Sequence, residues 1–266
     1  MGTSWLHGFW VTLLAALVAV GATGAQATAG PSEHTLMIDG QEALVMKPDQ
    51  PTNSLVVYVH GAGGTATTIE QGQDLGLAEE LLARGFAVAG TAAHGVLNWG
   101  DPPSVQDYVR LIKRLHYRHV FLLAESLGGL DGMQLLERVH PTAFAAIYPV
   151  CNARAVYRNA QALARSGEPI GHELVQGSLE TYGGPPPERL SPVRPADVEG
   201  LPVLIWASPA DRVVPFQQDA ATCASELKKG GASVRLVRTV GNHGDPSNFR
   251  PKWLATFFES QLPRAP

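Results

Sequence analysis

Short apolar runs alternate along this chain with longer segments whose apolar residues repeat at helical spacing. The runs predict a β-hairpin at 35–40 and 41–46 and strands at 55–60, 86–91, 119–124, 144–148, 202–207 and 234–240. Helices are predicted in the segment that ends at Arg84, in residues 105–115 behind a Ser104 cap, and at 130–139, 216–229 and 249–260. Continuous apolar strands separated by helices indicate a mostly parallel sheet covered by helices on both faces.

One segment interrupts this alternation. Residues 151–200, between the strands at 144–148 and 202–207, are too long for a simple connection and predict a helix at about 153–166, followed by a stretch rich in Pro and Gly. The segment has too few apolar residues to form its own core. We therefore predict a single domain over residues 28–266, in which 151–200 form a small cap over the carboxyl ends of the strands.

The amino-terminal residues are of a different kind. Residues 9–20 form an apolar run, and Ala25, Gln26 and Ala27 follow it as a small-residue cleavage motif. The run is shorter than the roughly 20 apolar residues that cross a bilayer. It predicts a signal peptide over residues 1–27, and hence a secreted or periplasmic protein with no stable membrane span in the mature chain. Because residues 1–8 contain no Lys or Arg, an uncleaved anchor stays open as an alternative.

Composition narrows the class of protein further. Hydrophobic residues make up 45% of the chain and charged residues 17%, which is ample for a core. The net charge is −4 and no basic run is present, so the electrostatic footprint of a nucleic-acid-binding protein is missing. The two cysteines, Cys151 and Cys223, can form one disulfide in an exported protein or remain as two buried free thiols.

Chemically useful residues follow four of the predicted strands. His60 and a glycine-rich turn follow the strand at 55–60, Ser126 follows 119–124, Asp211 follows 202–207, and His243 follows 234–240. Open α/β sheets bind their ligands beyond the carboxyl ends of the strands, so we expect these residues to gather at one edge. Their order along the chain, Ser, Asp and then His, is that of α/β-hydrolases.

On these residues the chain resembles α/β-hydrolases of the esterase, lipase and small serine-peptidase type, over about residues 35–260. The nucleophile elbow of that family reads Gly-x-Ser-x-Gly, and the corresponding residues here are Ala124, Glu125, Ser126, Leu127 and Gly128. Alanine replaces the first glycine. We expect the turn to tolerate it, because alanine adds only a methyl group.

The resemblance implies a catalytic triad. An alcohol is a poor nucleophile until a base removes its proton, so Ser126 needs an imidazole within hydrogen-bond reach, and His243 is the candidate base and acid. Asp211 is the candidate carboxylate that fixes the tautomer of the imidazole. By the same resemblance, the backbone N–H groups of Leu127 and Ala62 form the oxyanion hole, with Gly63 as the alternative second donor.

Several other polar residues near these strand ends are weaker candidates for the same roles. Asp245 lies two residues after His243, but it does not follow a strand of its own. His60 is expected to steady the oxyanion turn, His94 to be structural, and Glu125 to be an elbow residue without a role in proton transfer. No GK[ST] follows the glycine-rich turn, which excludes a P-loop. No His and carboxylate spacing suits a metal site, so neither a metal nor a cofactor is expected.

The predicted function is therefore that of an exported serine hydrolase that cleaves carboxylic esters of small molecules through an acyl-enzyme. A peptidase or amidase of the same fold and an inactive hydrolase-fold binding protein remain as alternatives. Specificity is expected to depend on residues 94–103 and on the cap. Trp99 could line the substrate pocket, or it could simply pack.

Overall fold

An eight-stranded sheet forms the centre of the protein. The computed structural model describes residues 31–263, so the predicted signal peptide lies outside the described residues. Along the sheet the strand order is β1-β2-β4-β3-β5-β6-β7-β8. The strands are β1 Ser32–Ile38, β2 Gln41–Lys47, β3 Ser54–Val59, β4 Ala87–Thr91, β5 His119–Glu125, β6 Ala143–Ile147, β7 Pro202–Ala207 and β8 Ser233–Arg238.

The predicted hairpin is present as β1 and β2, which pair antiparallel, and β2 pairs antiparallel with β4. All remaining pairs, from β4 through β3 and β5 to β8, are parallel. The strands β3, β4 and β6 are buried along their whole length, whereas the edge strand β8 has alternating exposure. The continuous apolar runs thus belong to strands that are covered on both faces, as expected for a parallel sheet.

In the described part of the chain, seven α-helices connect and cover the strands. They are α1 Gly72–Ala83, α2 Pro102–Leu115, α3 Gly129–Val139, α4 Ala153–Arg165, α5 Pro169–Tyr182, α6 Ala220–Lys229 and α7 Pro251–Glu259. The helix α1 packs against α7, and α2 packs against α3. Among the described residues, no helix has both the length and the apolar character needed to cross a membrane.

The start of α2 differs from the prediction. We expected Ser104 to be its cap, but the helix begins three residues earlier than predicted and Asp101 is the N-cap, accepting a 2.8 Å hydrogen bond from the Ser104 N–H. Two prolines, Pro102 and Pro103, occupy the first turn. A proline has no backbone N–H, but it loses no helical hydrogen bond there, because N–H groups of the first turn have no acceptor within the helix. Ser104 instead donates its hydroxyl to Asp131 of α3 and joins the two helices.

The segment 151–200 contains two helices, not one. The predicted helix is α4, but α5 was missed, because its apolar residues are interrupted by Gly171 and Gly177. Its sequence does contain both end markers, Pro169 in the first turn and Gly183 at the carboxyl cap. The two helices pack closely: a Cβ at Gly171 would lie 2.3 Å from the backbone nitrogen of Ala164 in α4.

A disulfide joins the start of this segment to α6. Cys151 and Cys223 are bonded, with their Cα atoms 5.5 Å apart, which decides between the two possibilities left by the sequence. Asp219, just before α6, reinforces the connection by accepting hydrogen bonds from the N–H groups of Cys151 (3.0 Å) and Asn152 (2.9 Å).

The fully buried Asp131 should make stability depend on pH. Burial raises its pKa to about 7 from an ordinary 3.8, so the folded protein holds a proton that the unfolded chain releases. Between about pH 4 and pH 7 the folded state therefore binds more protons, and the free energy of unfolding falls as pH rises. Urea unfolding at several pH values should show this decline, and it should be shallower in Asp131→Asn. Equal slopes in both proteins would mean that Asp131 is already ionised in the fold.

Candidate active site

The turn after β5 places Ser126 at the edge of the sheet. Ser126 has a φ of 49°, in the left-handed region that few residues other than glycine adopt, and a short 3-10 turn at Ser126–Gly128 leads directly into α3. The backbone there runs very close to its neighbours. A Cβ at Gly128 would lie 2.3 Å from the carbonyl oxygen of Val59, and one at Gly129 would lie 2.5 Å from that of Val150. No side chain larger than that of glycine therefore fits at either position.

The alanine that replaces the first glycine of the elbow fits this geometry. Ala124 is fully buried in β5, and the helix α3 passes beside it through Gly132. A Cβ at Gly132 would come within 2.9 Å of the Ala124 methyl group. Gly132 of α3 therefore leaves the space that the methyl group of Ala124 occupies.

A continuous hydrogen-bonded relay connects the three predicted triad residues. The Ser126 Oγ lies 2.9 Å from Nε2 of His243, and Nδ1 of the same ring lies 2.7 Å from Oδ2 of Asp211. The Asp211 side chain is almost fully buried, while that of His243 keeps 17% of its surface exposed. This arrangement can remove a proton from the serine hydroxyl and stabilise the imidazolium that results.

The loop around Asp211 holds the carboxylate in place. Its second oxygen, Oδ1, accepts hydrogen bonds from the N–H groups of Val213 (2.8 Å) and Val214 (2.9 Å), which leaves Oδ2 directed at the imidazole. Asp245, the alternative acid, instead accepts a 2.9 Å bond from the N–H of Ser247 and caps the short turn that follows.

The two residues predicted to donate to the oxyanion lie beside Ser126. Ala62 and Leu127 both line the cavity that contains Ser126. The alternative donor, Gly63, is already engaged, since its N–H donates to the carbonyl of Val96 at 2.8 Å. The glycine-rich turn after β3 contacts the nucleophile through Gly61. A Cβ at Gly61 would lie 3.0 Å from the Cβ of Ser126.

His60 and His94, the two histidines predicted to be structural, lie outside the relay. His60 is buried, which lowers its pKa, and its Nδ1 lies 2.9 Å from the carbonyl oxygen of Gly61 in the oxyanion turn. Its backbone N–H donates to the hydroxyl of Tyr108. His94 is exposed and lies 3.5 Å from Asp107. Within residues 31–263 there is no group of three or more His, Cys, Asp or Glu side chains suited to a metal ion.

A small cavity of about 160 Å³ opens beside Ser126. Its wall is largely apolar. The apolar residues follow β6, lie in the loop around Asp211 or belong to the helices α4 and α5: Val150, Val156, Ile170, Leu174, Val213 and Val214. A larger groove of about 630 Å³ beside Trp253 shares none of these residues and lies away from the relay. The cavity at Ser126 therefore has the chemistry and the apolar walls of a binding site.

Trp99 does not line this cavity, contrary to one of the two possibilities left by the sequence. Its side chain is fully buried and packs edge-on against Tyr157 of α4, with the ring centroids 6.3 Å apart. Its carbonyl accepts a hydrogen bond from the hydroxyl of Tyr182 in α5. Trp99 thus anchors the cap to the sheet and lies too deep to contact a substrate.

Sequence reasoning missed Tyr148. This residue follows β6 at the same edge of the sheet, so the rule that identified the triad would also have found it. Its ring centroid lies 4.3 Å from that of His243, and its hydroxyl donates a 2.5 Å hydrogen bond to Glu125. Glu125, predicted to be an elbow residue without a role in proton transfer, also accepts a hydrogen bond from the hydroxyl of buried Tyr58.

Solved structures of other proteins share this architecture. An esterase from Pyrococcus furiosus superposes with a TM-score of 0.66 at 15% sequence identity, covering 87% of this chain and 90% of its own. An esterase of the bacterial hormone-sensitive lipase family gives a TM-score of 0.64 at 18% identity, covering 87% and 84%. The chain has the α/β-hydrolase fold. The predicted fold class is therefore confirmed.

Further comparisons set the limits of this likeness. An acylaminoacyl peptidase from Pyrococcus horikoshii superposes on 87% of this chain with a TM-score of 0.62 at 19% identity, but only 41% of the peptidase is covered. No protein-family model and no curated protein sequence matches the chain. The likeness is thus one of fold, and it includes both esterases and a peptidase.

The relay makes a specific prediction about Ser126. Asp211→Asn should slow covalent labelling of Ser126 by a fluorophosphonate about a thousandfold, because an asparagine favours the wrong tautomer of His243. Mass spectrometry of the intact protein over time measures the rate. Asp245→Asn is the matched control and should label at the rate of the unmodified protein. If Glu125→Gln abolished labelling while Asp211→Asn did not, Asp211 would not be the acid of the relay.

Proposed function

We propose that this protein is an exported serine hydrolase that cleaves carboxylic esters with short apolar acyl groups. The observation that carries the proposal is the relay from Ser126 through His243 to Asp211 at the mouth of a small apolar cavity. The esterases of the same fold support the general class of reaction.

The reaction proceeds in two acyl transfers. Ser126 attacks the ester carbonyl while His243 takes the hydroxyl proton, and the N–H groups of Leu127 and Ala62 stabilise the oxyanion. His243 then donates that proton to the leaving alkoxide, which departs as the alcohol and leaves an acyl group on Ser126. In the second half, His243 removes a proton from water, and the resulting attack releases the acid and restores the serine.

The size of the cavity supports a limit on the acyl group. An apolar cavity of about 150 Å³ holds a group the size of benzene, so 160 Å³ accommodates an acyl chain of about four to six carbons. Leu174 and Ile170 of α5, together with Val156 of α4, close the cavity on the cap side. Longer chains would have to displace these helices.

Amide cleavage is the second candidate, because an acylaminoacyl peptidase shares the fold. Esters are favoured, since an alkoxide leaving group demands less of the protonated His243 than an amine does. Turnover of p-nitrophenyl esters alongside aminoacyl anilides distinguishes the two, with Ser126→Ala as the inactive control. If the folded protein cleaved neither and Ser126 were not labelled by a fluorophosphonate, it would be a binding protein.

The acyl limit can be tested by filling the cavity. With p-nitrophenyl esters of increasing length, kcat/KM should be highest at about four to six carbons and fall about tenfold or more by ten. Leu174→Trp should move the optimum to acetate, because the larger side chain occupies the cavity. Leu179→Trp, on the exposed side of the same helix, is the matched control and should keep the original optimum. An unchanged profile in Leu174→Trp would place the acyl group elsewhere.

Export is part of the proposal and rests on residues 1–27. Expressed in a secreting bacterial host, the full chain should appear outside the cytoplasm with an amino terminus near Thr28, as measured by mass spectrometry. A chain that lacks residues 1–27 should remain in the cytoplasm. Recovery of the intact amino terminus in the membrane fraction would favour the uncleaved anchor.

A further inference from the structure

Two asparagine side chains from other parts of the chain contact the loop that carries Asp211. This loop, residues 208–214, follows β7 and is called the acid loop below. One of the asparagines, Asn159, belongs to the cap helix α4, and the other, Asn242, directly precedes His243. Neither side chain takes part in the relay, so their contacts with the acid loop need another reason.

Asn159 binds the acid loop through two carbonyl groups. Its Nδ2 donates to the carbonyl of Arg212 at 2.7 Å and to that of Val213 at 2.9 Å. These are the two residues that directly follow Asp211. Because both partners are acceptors, the NH₂ group of the amide and not its oxygen must face the loop. The contact therefore depends on a donor that an aspartate at position 159 would lack.

Asn242 binds the same loop with the opposite group. Its Oδ1 accepts a 2.8 Å hydrogen bond from the N–H of Arg212, and a backbone N–H can only donate, so here the amide oxygen must face the loop. The carbonyl of Asn242 accepts a 3.2 Å bond from the side chain of buried Asn248. The carbonyl of Asn248 in turn accepts the indole N–H of Trp206 in β7. Asn242 thus joins the acid loop to a segment that is itself fixed on the sheet.

Hydrogen bonds within the acid loop do not fix its place in the molecule. Oδ1 of Asp211 accepts the N–H groups of Val213 and Val214. The N–H of Asp211 donates to the carbonyl of Ser208 at 3.2 Å. These contacts orient the carboxylate within the loop, but a loop that moved as a unit would keep all of them. The position of the carboxylate relative to His243 therefore depends on contacts from outside the loop.

A salt bridge between Arg212 and Glu168 of the cap also reaches the acid loop. The distance between Nη2 and Oε1 is 3.3 Å, and the two side chains are 67% and 42% exposed. An ion pair so open to water adds little, because solvent screens its charges and both long side chains must be ordered. Asn159 and Asn242 instead bind the backbone of the loop, which cannot swing away as a side chain can.

The acid loop also forms part of the cavity. Val213 and Val214 line it beside Ser126, together with Ile170 of α5. The carbonyl of Val213 that Asn159 holds therefore belongs to a residue of the cavity wall. One contact from α4 thus reaches both the residue that follows the catalytic acid and the surface that faces the acyl group.

We propose that Asn159 and Asn242 are positioning residues, which hold the acid loop from the cap and from the sheet so that Asp211 stays against His243. The cap is then part of the catalytic machinery and not a cover that can be removed. The inference rests on the proposed function for its effect on catalysis, but the hold on the loop can be measured without it.

The same substitution at the two positions should have opposite results. Asn159→Asp loses the donor and sets a charge against two carbonyls, so it should slow labelling of Ser126 by a fluorophosphonate about tenfold. Asn242→Asp keeps the acceptor for the N–H of Arg212 and should label within about twofold of the unmodified protein. Asn242→Ala lacks the acceptor and should label about fivefold more slowly. Equal rates in the two aspartate variants would contradict the proposal.

The matched control for charge is Gln161→Glu. Gln161 lies two residues after Asn159 on α4 and lines a separate groove that shares no residue with the cavity at Ser126. This variant adds the same charge to the same helix, and it should label within about twofold of the unmodified protein. Slowing equal to that of Asn159→Asp would assign the effect to charge and overturn the role of the donor.

A double variant distinguishes positioning from a general loss of structure. If Asn159 acts through Asp211, Asn159→Asp should cost less than about twofold once Asp211→Asn has disabled the acid. Asn159→Ala loses both bonds without adding a charge and should slow labelling about fivefold alone, with the same dependence on Asp211. A full effect in the Asp211→Asn background, or an unchanged rate in Asn159→Ala, would overturn the positioning role.

Hydrogen exchange tests the hold on the loop independently of activity. The amides of residues 212–214 should exchange about tenfold faster in Asn159→Asp than in the unmodified protein or in Asn242→Asp, as measured by mass spectrometry of peptides that span the acid loop. Unchanged exchange in Asn159→Asp would overturn the proposal. If the unmodified protein were not labelled at Ser126, the proposed function would fail, and the exchange rates would still decide whether the two asparagines hold the loop.

Discussion

The backbone turn at Ser126 is the constraint on which the rest of the site depends. A left-handed φ at this residue turns the chain from β5 into α3 within three residues and directs the hydroxyl out of the sheet. Such a turn is possible only because Gly128 and Gly129 let the new helix pass within van der Waals contact of two neighbouring strand ends. Strain of this kind persists where the surrounding structure holds it in place, and here it places the Ser126 hydroxyl against His243.

The segment 148–152 supplies much of that support. The N–H of Val150 donates to the carbonyl of Ser126 at 2.8 Å, directly behind the nucleophile. The next residue, Cys151, is bonded to α6, and its N–H is held by Asp219. Five residues thus connect the nucleophile, the ring of Tyr148 and the start of the cap. A displacement of the cap would therefore also shift the residues that support the relay.

Most of the fold could be predicted from the sequence because its strands are continuous apolar runs, and burial on both faces of a parallel sheet imposes that pattern. The helix α5 escaped because two glycines interrupt its apolar face, and those glycines serve its packing on α4 and on Leu97. The capping role of Ser104 was wrong for a similar reason: its hydroxyl is used by Asp131, a partner far away in sequence. In both cases a tertiary contact overrides the local pattern.

The candidate site divides in the same way. The sequence alone determined which residue types follow the strands and in what order, because parallel strands bring their carboxyl ends to one edge. Distances decided the rest: the 2.9 Å and 2.7 Å steps of the relay, the engagement of the Gly63 amide, and the burial of Trp99 away from the cavity. The hydrogen bonds from Tyr58 and Tyr148 to Glu125 have no local sequence pattern, because the three residues come from separate parts of the chain. Only packing brings them together, and so only the tertiary structure could reveal that two tyrosine hydroxyls donate to one carboxylate beside the serine.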